Sequence, residues 1–437
     1  MNNNELVQEL FYQLNTQHIS YCVLRNYESL PHNTGGSDID MWIDAKDEGR
    51  FLSILSSLNQ CDNFTLVSYI EDDFCPKVCY QTMTGGMQID IFKGGIYYQN
   101  NVMIPGSVLC KHLKSFNGVV VLDDSLANLV AALKEILNNG RCEDKYLKPL
   151  YKNKTIYSAA YLKENLPQFN ELFIEALFDA LQNETIHLQV STLCRIGRRN
   201  IKRNPLWCYK IKKIKRWFSP PGYVIAVLGT DGSGKSTIID AITPWLNEGF
   251  HNSVVYNHLR PNVFPDLGVL LGKKEKSEKP IVVSDPHAEK PSGLMGSLVR
   301  WGYYMLDYTI GYLKSVYPVV HTKSKVFIFD RYYYDYYVDQ KRSRTSLPQW
   351  ILRLGELFVP NPDLILCLGG DPKKIYERKP ETSLEEVTLQ TEKLHKFCEK
   401  RKNAAWVDTT LPLDETLENA KTSIVEMLTP RFKNVKL

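Results

Sequence analysis

The stretch YVIAVLGTDGSGKSTIIDAI, residues 223–242, constrains this chain more than any other. An apolar run meets a glycine-rich turn, and a helical pattern follows at once. Gly229, Gly234, Lys235 and Ser236 fall at the spacing G-x-x-x-x-G-K-S. Glycines let backbone N–H groups turn inward around phosphate oxygens, and a helix N-terminus adds positive potential. Gly229, Asp231, Gly232, Ser233, Gly234, Lys235, Ser236 and Thr237 are therefore candidate nucleotide-binding residues. Lys235 can reach the β- and γ-phosphates, and Ser236 can ligate Mg²⁺. The competing reading is a turn that fits the spacing by accident, but the strand before it and the helix after it favour the phosphate cradle. ATP and Mg²⁺ are the expected cofactors.

The surrounding pattern predicts the architecture. Beyond about residue 220, short apolar runs alternate with helical stretches: 223–229, 253–258, 325–330, 364–370 and 404–408 read as strands. Helical patterns lie between them, the longest at 294–320. Alternation of this kind implies a doubly wound parallel α/β sheet over residues 222–437. Residues 272–292 are polar and broken by proline, and read as a mobile loop. The first 125 residues read as an α+β domain, with an amphipathic helix and strands at SYCVL, DIDMWI and MQIDIF. Residues 126–194 turn helical. At 437 residues the chain is long enough for two cores.

Residues 195–216, RIGRRNIKRNPLWCYKIKKIKR, carry many bases and no acid, and a Ser-Pro-Pro follows. Residues 195–221 therefore read as a basic linker. It is either a solvated connector or, with bases and tryptophans interleaved through 195–218, a peripheral membrane anchor. The net charge of +4 makes no global case for nucleic acid. No apolar run is long enough to span a bilayer, and the polar start MNNNELVQEL is unlike a signal peptide. Scattered cysteines without a matching Cys/His pair argue against zinc. The expectation is a cytoplasmic enzyme, with the inner membrane surface as its alternative place. Its expected partners are a small-molecule substrate and, beyond that, a second copy of the chain.

The run IFDRYYYDYYVDQ, residues 328–340, ends an apolar strand on Asp330 and Arg331. Asp330 is placed to meet a metal or its water, or to cap the next helix; both can hold. On a helix, Tyr332, Asp335, Tyr336 and Asp339 would share one face, and Trp301, Tyr304, Tyr308 and Tyr312 another. Such stripes are more often core than pocket. So many tyrosine hydroxyls beside acids nevertheless favour a polar cavity.

These residues resemble the thymidylate kinase family of P-loop kinases. The resemblance rests on GTDGSGKST, on Asp330-Arg331-Tyr332 after the third strand, on Arg260 in HLRP after the second, and on Arg378 and Lys379 in ERKPETSLEEV. It covers about residues 222–430. It implies that Lys235, Asp330, Arg331, Arg378 and Lys379 act in catalysis. Arg331 and Arg260 would hold the acceptor, and Arg378 and Lys379 would close over the donor phosphates. Some members carry an arginine where this chain has Gly232, so here the lid bases would have to serve. The family's Asp-Arg pair is Asp307-Tyr308 here, and acids stand at Asp335 and Asp339. Arg260, Tyr304, Tyr308, Tyr332, Asp335 and Asp339 are therefore the expected lining of an acceptor site for something other than thymidylate. Unpaired acids there would suit sugar hydroxyls or a second cation.

In the N-terminal part, GGSDIDMWID places Asp38 and Asp40 on one strand face, and MQIDIF places Asp90 on another strand. Three converging carboxylates would bind divalent metal. The competing reading is plain edge decoration of a small sheet. The set resembles the DNA polymerase β-like nucleotidyltransferases over about residues 1–125, although the usual upstream Gly-Ser turn is replaced by Arg25-Asn26. Phosphorylation coupled to nucleotidyl transfer is the logic of sugar activation, which points to surface polysaccharide or nucleotide-sugar metabolism. Two other readings stay open: a nucleotide-sensing module serving a nucleotidyltransferase, and a true nucleoside monophosphate kinase.

Overall fold

The computed structural model describes residues 3–58, 65–98, 101–200, 214, 216, 220–250, 253–265, 267, 293–323, 325–340, 342 and 345–432. The expected loop at 272–292 and most of the basic linker lie outside them. The chain forms two compact units, one built from residues 1–214 and one from residues 215–434.

Among its described residues the first unit holds nine strands: β1 (Tyr21–Val23), β2 (Ile39–Ile43), β3 (Thr65–Ile70), β4 (Lys77–Gln81), β5 (Gly86–Lys93), β6 (Gly95–Tyr98), β7 (Asn101–Pro105), β8 (Leu113–Phe116) and β9 (Val119–Leu122). Seven make one mixed sheet in the order β3-β4-β5-β2-β1-β9-β8, and β6 and β7 form a separate ribbon. Parallel pairing of β2 with β5 sets Asp40 directly opposite Asp90. Trp42, Phe92 and Leu122 from the sheet share one apolar cluster with Leu126, Leu133 and Leu137 of helix Asp124–Asn139. That helix starts on the Asp123 carboxylate, which accepts from the Leu126 N–H, and stops at Gly140 in the left-handed region.

Four more helices follow, and the last, Ile186–Asn200, takes up the first bases of the expected linker. Arg198 donates to the Leu137 carbonyl at 2.6 and 2.8 Å. Position 195 is therefore inside a packed helix and does not begin a linker. No helix among the described residues is long and apolar enough to cross a membrane.

The second unit is a five-stranded parallel sheet. Its strands are β10 (Tyr223–Gly229), β11 (Val254–His258), β12 (Val326–Asp330), β13 (Leu364–Gly369) and β14 (Ala404–Asp408), in the order β11-β12-β10-β13-β14. Every residue of β10, β12 and β13 is buried, as strands covered on both faces must be. The strand order reverses at β10. In open sheets of this kind ligands bind outside the carboxyl ends of the strands at such a reversal, here at the end of β10 beside those of β12 and β13.

Two expectations for this unit fail. The long helix at 294–320 is broken: a wider turn at Asp307–Gly311 interrupts it. The Asp307 carboxylate turns away to accept N–H groups of Asn262, Val263 and Phe264 at 3.0–3.3 Å. Gly311 leaves it the room, since a Cβ there would lie 2.3 Å from Asp307 Oδ1. The helix expected over Tyr332–Asp339 is a single turn, Asp335–Val338.

Candidate active site

The turn after β10 is shaped by two glycines in the left-handed region, Gly232 (φ +82°) and Gly234 (φ +79°), the second capping helix Lys235–Gly249. A side chain at 232 has no room as well as a strained backbone. Its Cβ would stand 2.7 Å from the Ile375 carbonyl and 3.1 Å from Lys379 Cβ. An arginine could not occupy this position, and the same contact sets the stem of Lys379 beside the loop.

Lys235 is buried and donates to the Gly229 and Thr230 carbonyls at 2.8 Å each. Burial, and then repulsion from Arg331, lowers its pKa to about 7. Ser236 and Thr237 are exposed on the first helical turn. Around the loop, three buried polar atoms have no hydrogen-bond partner: Thr230 Oγ1, Ser233 Oγ and Asp330 Oδ1. Orphaned groups of this kind are costly in a folded chain unless a water, an ion or a ligand meets them. Asp330 closes β12. Its Oδ2 accepts from the Tyr256 hydroxyl (3.1 Å) and faces His258 Nδ1 (3.2 Å), which leaves Oδ1 for a metal or its water. Burial works to raise this carboxyl's pKa, but His258, Lys235 and Arg331 together hold it low. The donor set of Ser236 and Asp330, both oxygen, fits Mg²⁺.

Arg331 is held in the left-handed region at φ +69°, a conformation that costs a non-glycine residue energy. That geometry turns its guanidinium back under the loop. It bonds Asp231 Oδ1 at 2.7 Å and Asp335 Oδ1 at 3.1 Å, and burial does not stop these acids from raising its pKa. Arg342 closes on the second Asp231 oxygen. Asp335 is thus a buried counter-ion of Arg331, not an acid presented to an acceptor. Asp339 is buried too, and its Oδ1 accepts the Arg342 N–H at 3.1 Å.

Burial opposes ionisation of Asp231, but Arg331, Arg342 and Lys235 outweigh it and hold its pKa near 2, below an ordinary 3.8. A depressed carboxyl stabilises the fold at pH values above its unfolded pKa and loses that effect as pH falls toward the folded one. Asp231→Asn is expected to destabilise by about 2 kcal/mol at pH 7 and by roughly half of that at pH 3. Urea unfolding at the two pH values checks this, and an equal loss at both contradicts the pairing.

The aromatic residues behave differently from expectation. Tyr308 and Tyr332 are 1% and 0% exposed and belong to the core. Their hydroxyls do find partners, but these are the backbone carbonyls of Leu259 (2.9 Å) and Pro360 (2.7 Å). No cavity is needed to satisfy them. Tyr304 stays partly exposed, and the Arg260 guanidinium stacks 4.5 Å from its ring. Arg260 is itself buried and paired with Asp307 at 2.8 Å, so its charge goes to the loop it belongs to. Arg378 and Lys379 end helix Pro372–Arg378 and are exposed, with Lys379 paired to Glu381 at 3.0 Å.

Sequence reasoning missed Tyr256, His258 and Arg342. The first two were legible: alternation in VVYNH puts them on one face of β11, and His258 pairs in register with Asp330. Arg342 carried no such signal.

In the first unit the structure brings Asp38, Asp40 and Asp90 together, each offering an oxygen within 4.8 Å of the others, and all three are buried. Bases already attend them. Arg25 bonds Asp40 and lies 3.6 Å from Asp38, Lys77 bonds Asp90, and Lys134 stands 4.0 Å from Asp40. Lys77 sits across from Asp90 in the β4–β5 register. Three carboxylate oxygens suit a hard divalent ion, which would have to displace Lys77 and Arg25.

No protein-family model matches the sequence, and no curated protein matches it. Among solved structures, thymidylate kinase from Ehrlichia chaffeensis is similar at 18% identity and a TM-score of 0.32, over 47% of this chain and 100% of that one. Thymidylate kinase from Candida albicans is similar at 18% identity and a TM-score of 0.34, over 48% of this chain and 93% of that one. Likeness at that level leaves the reading of this chain to its own residues.

Proposed function

We propose that the second unit is an ATP- and Mg²⁺-dependent phosphotransferase of thymidylate-kinase-like type whose acceptor is an uncharged hydroxyl compound, such as a sugar. The observation that carries the reading is the loop itself, where a buried lysine, a helix N-terminus and three orphaned polar atoms occur within and beside one glycine-rich turn. Loop N–H groups would take the donor phosphates. Lys235 would exchange two backbone carbonyls for phosphate oxygens. Ser236 and Asp330 would hold Mg²⁺, which supplies charge neutralisation when bound. Lys379 stands beside Gly232, and Arg378 precedes it; both are exposed, and Lys379 would exchange Glu381 for the donor phosphates. The bond from the γ-phosphorus to its bridging oxygen breaks as one to the acceptor oxygen forms, ADP leaves with the electron pair, and the acceptor hydroxyl gives up its proton to solvent.

The choice of acceptor follows from charge. A nucleotide acceptor brings a second phosphate into the site and needs spare bases. Here Arg331 and Arg342 are matched by Asp231 and Asp335, and Arg260 by Asp307. Little positive charge remains for an anionic acceptor, whereas a hydroxyl needs none. Mass spectrometry of products formed from ATP, Mg²⁺ and a panel of sugars and nucleotides tests this. Phosphorylated sugar is expected; phosphorylation of thymidylate in preference to every sugar would overturn the choice of acceptor.

A second reading concerns the first unit, where the three acids favour divalent metal and a nucleotidyltransferase-like role. Mn²⁺ titrated into the full chain is expected to bind there, with affinity at least ~10-fold weaker in Asp40→Asn and in Asp90→Asn. Equal affinity in both variants would leave the acids as mere partners of Arg25 and Lys77.

A further inference from the structure

The second unit contains a cavity of about 720 Å³ that shares no lining residue with the phosphate loop. It is walled by helices Gln349–Glu356 and Leu384–Glu399. Glu356 and Arg401, themselves paired, line it beside Phe397, whose ring lies 4.4 Å from the Arg401 guanidinium. The Tyr337 hydroxyl donates to Glu356 at 2.8 Å. With that pair accounted for, four cations remain: Arg353, Lys393, Lys396 and Lys400. None of the four has an ion-pair partner among the described residues. The remaining acids of the lining are Asp339, which accepts the Arg342 N–H, and Glu386, which accepts from Gln390 at 3.3 Å. Lys393, Lys396 and Lys400 recur at i, i+3 and i+7, so they run along one face for about 10 Å. A cavity with this excess of bases calls for an anion.

A second observation narrows the ligand. The stripe of helix Gln349–Glu356 that lines the cavity runs through Gln349, Arg353 and Glu356. Beside it runs another stripe, Trp350, Leu354, Leu357 and Phe358, exposed by 66%, 48%, 79% and 63%. Scattered exposed apolar residues are ordinary, but a contiguous row with a tryptophan at one end and a phenylalanine at the other is not. Tryptophan beside lysine is the composition of a lipid–water interface: the ring sits at headgroup depth and the ammonium groups meet phosphate.

We propose that this cavity and its apolar lip form a binding site for a phosphate-bearing lipid at a bilayer surface. The headgroup lies among Arg353, Lys393, Lys396 and Lys400, and the hydrocarbon chain lies along Trp350, Leu354, Leu357 and Phe358. The site is separate from the phosphate loop and does not depend on the phosphotransfer reading. It places membrane contact within the folded second unit.

The test sediments the full chain with vesicles of phosphatidylcholine alone and with vesicles also containing phosphatidylglycerol. Binding is expected only to the second. Lys393→Glu with Lys396→Glu, and separately Trp350→Ser with Leu357→Ser, should each lower the partition coefficient by roughly 10-fold or more while ATP binding stays unchanged. The Trp350 and Leu357 positions are already exposed, so those substitutions do not threaten the core. Three results overturn the proposal: no binding to either vesicle, equal binding to both, or unchanged binding in either double variant. Saturable binding of inorganic pyrophosphate without vesicle binding also overturns it, because the ligand would then be a free phosphate.

Discussion

Lys235→Ala is expected to lower phosphoryl transfer by about 10³-fold or more, because the lysine is the one base positioned inside the loop to follow charge onto the transferring group. ATP affinity should fall by roughly 10- to 100-fold, the worth of a charge-assisted hydrogen bond. The variant should nevertheless fold. In the ligand-free state Lys235 is buried, and its pKa of about 7 lies far below its ordinary 10.5. A lysine depressed on folding opposes folding wherever it must stay charged, so its ammonium works against stability at and below neutral pH. Its loss also frees only the Gly229 and Thr230 carbonyls, which adjoin a place open to ligand. Thermal unfolding without nucleotide should therefore be close to wild type, while the rise in Tm that ATP gives the wild type should shrink. A variant that fails to fold would contradict this separation of roles.

Arg331→Ala is expected to act the other way, on stability and activity together. The guanidinium is 3% exposed and bridges two carboxylates; Asp231 would keep Arg342, but Asp335, buried itself, has no other ion-pair partner among the described residues. Removing one side of a buried pair leaves charge uncompensated and costs about 3–5 kcal/mol. For a unit of this size that is a fall of roughly 6–20 °C in Tm. Arg331→Lys should recover little, since an ammonium cannot present two separate faces to Asp231 and Asp335. Differential scanning calorimetry of the three proteins checks this. Arg331→Lys as stable as wild type would mean that the two acids need only a nearby positive charge.

What the sequence made legible was local. The phosphate loop reads from nine consecutive residues because its chemistry needs glycines, a lysine and a serine at fixed offsets, with a strand before and a helix after. Asp330 reads as the end of a buried strand. The N-terminal acids read from alternation, and the parallel register of β2 and β5 then brings Asp40 opposite Asp90. The tyrosines did not read correctly. Helical spacing shows which residues share a side, but not whether a wall or a ligand lies across from it. The hydroxyls of Tyr332 and Tyr333 are answered by the carbonyls of Pro360 and Leu352, from segments whose approach no local pattern announces. Asp335 misled for the same reason, because its partner Arg331 is turned toward it only by a left-handed backbone. Arg342 meets Asp231 across 111 residues of sequence, and nothing near either residue signals that meeting.

On the proposed function, the loop holds a nucleotide for transfer and not for sensing. The most direct measurement follows the γ-phosphate of labelled ATP, with Mg²⁺, into products separated from ADP and inorganic phosphate, with Lys235→Ala run alongside. Label is expected on a hydroxyl acceptor with the wild type and none above background with the variant. Tight ATP binding with no labelled acceptor from any sugar or nucleotide, or equal labelling by Lys235→Ala, would contradict it.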